Sequence, residues 1–306
     1  MTELKAEPGA TDDSNDITRP TEKFSKESTT EFTVDSQLLD ALEKPQKIQL
    51  VVQEAILLAG GAAAILLQVA EPGVAKGVDK HSNFAYRPLD RLRTTMTYIY
   101  CMAFGTREEK KVVIDMVHRA HAPVKGPGYN ANDPALQLWV AATLYAVGTD
   151  LYQQAFGKID EETAESLYRE YAILAVSLRV LPGMWPPSRK AFWAYWDYQV
   201  ANLEISQHAK NVAKDLLYSE HAPLWIRAVL PLVRLTTTEM LPLRMREAYG
   251  LQSTAICRGV NRITVGVTKA TYAFLPKFIR TYPMHYYLRD MRRRVKKLEE
   301  AKKKHS

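Results

Sequence analysis

Alternation of apolar and polar residues, the mark of a half-buried strand, is nearly missing from this 306-residue chain, and no Asn-Gly or Asp-Gly turn separates two such runs. Helix starts and stops punctuate it instead. Thr106 followed by Glu109 reads as a capping box, and the helix it opens must end near Ala122, because Pro123 disfavours helical geometry in the residue before it. Asp133-Pro134 pairs an N-cap with a proline at the first helical position, and Gly157 closes that helix. Asp160 opens another, with Glu161 and Glu162 in its first turn. Ser188 and Ser206 read as further N-caps and Gly250 as a C-cap. No repeat of fixed period appears. The pattern predicts an all-α protein with a single large helical domain over residues 36–285. A polar leader (1–35), without hydrophobic periodicity and expected to be disordered, precedes it, and a basic tail (286–306), helical or disordered, follows.

Composition sharpens this picture in three places. With 46% hydrophobic residues the chain can bury a large core. Its formal charge of +7 is local: from Arg289 to His305 nine Lys/Arg stand against three acids, a net of 9 − 3 = +6, so the rest is almost neutral. A terminal charge run without interleaved aromatics is a solvated face, and no nucleic-acid partner is expected. Its functional version is attraction to an anionic membrane surface, at about 1 kcal/mol per basic residue near it. Cys101 and Cys257 sit in apolar helical stretches and fit a reducing compartment, and no secretory signal is read in the polar first thirty residues. The uncharged run Ala55–Ala70, unmatched in length except by Pro134–Thr149, has sixteen residues including two glycines and a glutamine. A spanning helix needs about 20 apolar residues, so this run reads as a buried core helix. The expected setting is cytoplasmic, with peripheral membrane attachment left open.

Nucleotide-dependent and common hydrolase chemistry find no support: a Walker loop, a G-x-G-x-x-G after a strand, H-E-x-x-H and G-x-S-x-G are all missing. Two cysteines alone cannot build a zinc or iron–sulfur site. Three local groups carry what chemistry there is. Gly60-Gly61, inside an apolar helix, costs about 1 kcal/mol per residue against alanine, which close approach of a neighbouring helix or of a flat ligand would offset. Glu71, at the end of that helix, either faces water or has a raised pKa and acts as a base. Arg91 and Thr95, four apart on one helical face, are either exposed or suited to hold a carboxylate-bearing ligand, since arginine pairs bidentately with carboxylates. His118, His121 and Lys125 lie near a helix C-terminus, where the helix dipole favours cations, and an imidazole there can also ligate a metal. His81 is a weaker candidate of the same kind, while His208, His221, His285 and His305 lack supporting neighbours. The aromatics Phe192, Trp193, Tyr195, Trp196 and Tyr198 must cover more than one helix face, and read as packing rather than a cofactor cage.

Taken in order, several stretches resemble the catalytic domain shared by bacterial rubber oxygenase (latex clearing protein) and the fungal endoplasmic-reticulum-bound oxygenase of mycophenolic acid biosynthesis. They are Leu66–Ala75, His81-Ser82-Asn83-Phe84, Arg91–Thr95, His121–Gly126, Asp133-Pro134 through Trp139–Leu144, and Leu241–Arg246 with Tyr249-Gly250. Together they span about residues 45–285. The resemblance implies an all-α fold enclosing one b-type haem, with His121 as the iron ligand and Arg91 and Thr95 near the haem. Lys125 stands where many members have arginine, and His118 joins the cofactor-binding candidates. It further implies an oxidoreductase that uses dioxygen on a hydrophobic alkene, isoprenoid or polyketide-derived, as in fungal secondary metabolism, with peripheral attachment at the endoplasmic reticulum. Glu71 is the candidate base. Two departures bear on the distal chemistry: Ala70-Glu71-Pro72 replaces a customary Ala-His-Pro, and Trp139-Val140-Ala141-Ala142-Thr143 a customary Trp-Val-His-Ala-Thr. The alternative is a haem- or lipid-binding helical protein without turnover.

Overall fold

The structure, a computed structural model, describes residues 45–81, 88–220 and 222–304. The expected leader, the Ser82-Asn83-Phe84 stretch, His221 and His305 lie outside them. In chain order come α1 (Lys47–Val52), a 3-10 helix (Ala55–Gly60), α2 (Gly61–Val69), α3 (Pro72–His81), α4 (Pro88–Phe104) and α5 (Arg107–His121). Strands β1 (Lys125–Gly126) and β2 (Tyr129–Asn130) follow, then α6 (Pro134–Phe156), α7 (Glu161–Tyr171), α8 (Ile173–Val176) and α9 (Arg189–Asn202). The chain continues through α10 (Gln207–Leu217), α11 (Leu224–Met240), α12 (Leu243–Ala248), α13 (Ala255–Thr271), α14 (Lys277–Arg280) and α15 (Tyr282–Lys304). The protein is all-α, and the expected caps form. The Thr106 hydroxyl accepts from the Glu109 amide while the Glu109 carboxylate accepts from the Thr106 amide. Asp133, Asp160, Ser188 and Ser206 each accept from an amide in the first turn of the helix they open. Gly157 (φ +92°) and Gly250 (φ +72°) take the left-handed side of the map just past α6 and α12.

A small hairpin is the departure from the sequence reading. Lys125 pairs with Asn130 and Gly126 with Tyr129, around Gly128 at φ +78°. Strands of two residues are too short for apolar/polar alternation to register.

The centre of the molecule is α6. A helix buried on every face shows little amphipathic contrast, and α6 buries Leu138, Trp139, Ala142, Tyr145 and Leu151 around its whole circumference. It packs against the 3-10 helix, α2, α8 and α13. Its approach explains one of the two paired glycines: a Cβ on Gly60 would sit 2.4 Å from Leu151 Cδ1 and 2.6 Å from Val147 Cγ1. Gly61 has no neighbour within 4 Å of such a carbon. Two of the α9 aromatics close over α6, Phe192 meeting Tyr145 edge-on at 4.7 Å and Trp196 lying tilted at 5.2 Å against Trp139. Phe192, Tyr195 and Trp196 are packing residues, as expected, whereas Trp193 and Tyr198 are exposed.

Helices α4 and α5 form an antiparallel pair turned at Gly105, and α15 lies against both. Met284, Leu288 and Met291 of α15 are buried. Arg93 reaches Asp290 with both Nη2 (2.6 Å) and Nε (2.8 Å), Arg292 Nε reaches Glu109 Oε1 at 2.8 Å, and Arg294 Nη2 donates to Thr97 Oγ1 at 3.0 Å. The expected domain boundary at 285/286 therefore falls inside a packed helix, and the basic run begins as part of the fold. Among the described residues no single helix is long and apolar enough to cross a membrane. The bent pair Ala55–Val69 and Pro72–His81 turns by 113°, and its apolar residues are largely core.

Candidate cofactor site

The turn at Gly105 determines which residues of the α4–α5 pair face each other. Arg91 lies fourteen positions before Gly105 (105 − 91) and His121 fifteen after Thr106 (121 − 106), so the start of α4 and the end of α5 are level. The structure brings them together: the charges that His121 feels are those of Arg91 and His118. His118 and His121, three apart, share one face of α5. Arg91 and Arg93 are two apart, about 200° around α4, so Arg93 can serve α15 while Arg91 serves the histidines.

Electrostatics at this end of the pair favour a neutral imidazole. The His121 pKa is lowered from its ordinary value, chiefly by burial, then by the Arg91 guanidinium and by His118. A neutral imidazole keeps the lone pair that ligation needs. Arg91 retains exposed surface, while crowding around its guanidinium lowers its own pKa. Thr95 sits one turn further along, exposed. Nδ1 of His121 and Nε2 of His118 are buried and have no hydrogen-bond partner. Among the buried polar atoms without a partner, these two are the imidazole nitrogens, and they share one face of α5, which makes them the candidates to receive a ligand atom. Among the described residues no group of three or more His, Cys, Asp or Glu side chains could hold a bare metal ion. An uncharged imidazole beside a guanidinium is a donor set that would serve a metal bringing most of its own ligands, such as haem iron, with the guanidinium for a carboxylate. The residues present fit that group.

The remaining candidates lie around this centre or away from it. Lys125, on β1, is exposed. Glu71, half-buried at the α2–α3 junction, lies beside Tyr195, whose phenol is pushed up to about 12 by burial, with the Glu71 charge adding to it. His81 Nε2 and the Tyr129 hydroxyl are 2.9 Å apart. The sequence reading overlooked Tyr129, which fastens the hairpin to α3. Its ring covers Gly126, where a Cβ would lie 2.7 Å away, and packs against Gly77 of α3; Lys76 Nζ donates to Pro127 O at 2.6 Å. The run Gly126-Pro127-Gly128 is the turn signal that announces this clamp. His208 also gains a partner from the fold: its Nδ1 lies 2.5 Å from Asp79 Oδ2.

Residues 48–270 match the family described as ER-bound oxygenase mpaB/B'/rubber oxygenase, catalytic domain. Two curated relatives, uncharacterized proteins of Mycobacterium bovis and Mycobacterium tuberculosis, are each 31% identical over 248 residues, covering 77% of this chain and 96% of theirs. No solved structure matches significantly. With the family match spanning most of the helical domain and both ends of the α4–α5 pair inside it, the chain belongs to the mpaB/rubber oxygenase catalytic-domain family.

Proposed function

We propose that this protein is a haem b-dependent oxygenase acting on a hydrophobic alkene of isoprenoid or polyketide type, in a cytoplasmic setting. The observation that carries the reading is the pair of orphaned ring nitrogens on His121 and His118, beside Arg91. Bound haem would supply the activation of dioxygen toward a carbon–carbon double bond. The chain's own residues do the rest. His121 offers an uncharged imidazole because burial and Arg91 hold its proton off. Arg91 would pair its guanidinium with a propionate, and Thr95, one turn along the same face, would offer a hydroxyl. His118, on the same face as His121, offers a second nitrogen, and Lys125 an exposed cation at the mouth of the hairpin. Glu71 would take up a substrate proton at its carboxylate, with Tyr195 as its neighbour.

Haem titration followed by absorption spectroscopy tests the proposal. A sharp Soret band near one haem per chain, lost in His121→Ala while the fold persists, is the expected result. A folded protein that never takes up haem overturns it. Dioxygen consumption with candidate alkenes then separates an oxygenase from a haem-binding protein without turnover.

A further inference from the structure

His121 is the last residue of α5, and the ends of helices fray. A side chain that is offered to a metal has to be held in one place by the groups around it. The chain just past His121 supplies that hold. The His118 carbonyl accepts the Ala122 amide at 3.0 Å, and the His121 carbonyl accepts the Val124 amide at 2.9 Å. Between those two amides Pro123 has its φ fixed by its ring. The Val124 carbonyl then accepts the Ala131 amide at 2.9 Å, across the base of the β1–β2 hairpin. Little slack is left between the hairpin and the backbone that carries the imidazole.

The hairpin is seated on α3 at a buried glycine. A Cβ on Gly77 would touch Val124 Cγ1 at 3.4 Å and Tyr129 Cδ2 at 3.5 Å, so both side chains rest on the same bare stretch of helix. Tyr129 is fixed there from several directions. Its hydroxyl is 2.9 Å from His81 Nε2, and Lys76 Nζ and Lys80 Nζ each lie 5.8 Å from the centre of its ring. The backbone of Gly126 approaches the ring too closely to carry a side chain: an added Cβ would sit 2.7 Å from Cε1 and 2.9 Å from Cζ. The seat is itself anchored. Asp79 of α3 accepts from Asn211 Nδ2 at 3.2 Å and lies 2.5 Å from His208 Nδ1, both on α10.

We propose that Tyr129 is a positioning residue for His121: seated on Gly77, it fixes the hairpin, and through Val124 it fixes where the imidazole stands. Tyr129 acts through His121 and touches neither cofactor nor substrate. The inference rests on the haem reading and adds to it the element that makes the ligand rigid.

Haem titration of the full-length protein, followed at the Soret band, tests it, with thermal unfolding of the cofactor-free protein recorded beside it. Tyr129→Ala removes the ring, and Gly126→Ala places a methyl group where the ring lies. Each should bind haem about tenfold more weakly or worse, with a ferric spectrum that shows mixed ligation. Tyr129→Phe keeps the seated ring and should stay within about threefold of wild type. In the double variant Gly126→Ala/Tyr129→Ala the two losses should not add, because the new methyl meets no ring. Tyr272→Phe is the control for stability alone: it removes a hydroxyl that donates to the buried Glu54 at 3.1 Å, and should leave haem affinity and spectrum unchanged. Wild-type affinity and spectrum in Tyr129→Ala and Gly126→Ala overturn the proposal. So does an equal loss of affinity in Tyr272→Phe, which would make the effect one of stability. A wild type that stays folded and takes up no haem overturns the haem reading itself, an outcome distinct from a wild type that binds and hairpin variants that bind equally well.

Discussion

Two buried polar corners of this protein are built from similar materials and end differently. At one, the Glu54 carboxylate receives Arg280 and Tyr272, Tyr272 in turn receives the Ile56 amide, and the Arg280 guanidinium lies 5.1 Å over the Phe156 ring. Each strong donor has an acceptor. At the other, His118 and His121 bring ring nitrogens out of water and meet no partner, next to a guanidinium that repels a proton from His121. A closed polar network holds structure together; an open one costs stability unless something else completes it. On the proposed reading, the contrast separates a structural corner from a binding one without appeal to sequence similarity.

The comparison can be broken most forcefully at Glu54. Glu54→Ala strands Arg280 in a largely buried position and should destabilise the protein by about 3–5 kcal/mol, measured by denaturant unfolding. Tyr272→Phe removes the hydroxyl that both donates to Glu54 and accepts from Ile56, at about 1–3 kcal/mol in the same assay. His121→Ala should cost the cofactor-free protein less than about 1 kcal/mol, because no hydrogen bond of the ring's Nδ1 is lost, yet it should abolish the haem Soret band. A loss as large as that of Glu54→Ala would make the histidine corner structural after all. The smallest effect sharpens the contrast through pH. Folding holds the His121 pKa below its ordinary value, so below about 6.5 the unfolded chain takes up the proton first and stability declines. The melting temperature of the cofactor-free wild type should therefore fall more on acidification than that of His121→Gln, and parallel curves would refute the buried neutral imidazole.

The helices were legible because their ends are local chemistry. The Thr106–Glu109 box, the Asp133 cap before Pro134 and the Pro123 stop each act within a few residues, and the expected ends of α5 and α6 follow from them. The Glu54–Arg280 pair was not legible, since its members are 226 positions apart and any acid could have met any base. The paired glycines show the same limit at short range: Gly60 meets α6, Gly61 meets nothing, and the local sequence is nearly the same for both. At the site, Arg91, His118 and His121 could be named from the chain, and the turn at Gly105 makes their meeting geometrically natural. Their lack of partners could not be foreseen, because two histidines at a helix C-terminus have a sufficient reason to be there in the dipole alone. Tyr129 was missed because a clamp is recognised by what it covers.

Anyone trimming the basic C-terminal run to ease expression or crystallisation would naturally cut before Arg289. Such a cut would remove Asp290, Met291, Arg292 and Arg294, and with them the grip on Arg93, Thr97 and Glu109. Glu109 also completes the cap that starts α5, so a shortened version would loosen the helix whose far end carries His121. The residues that look most dispensable on paper are fasteners for the helix pair that carries Arg91, His118 and His121.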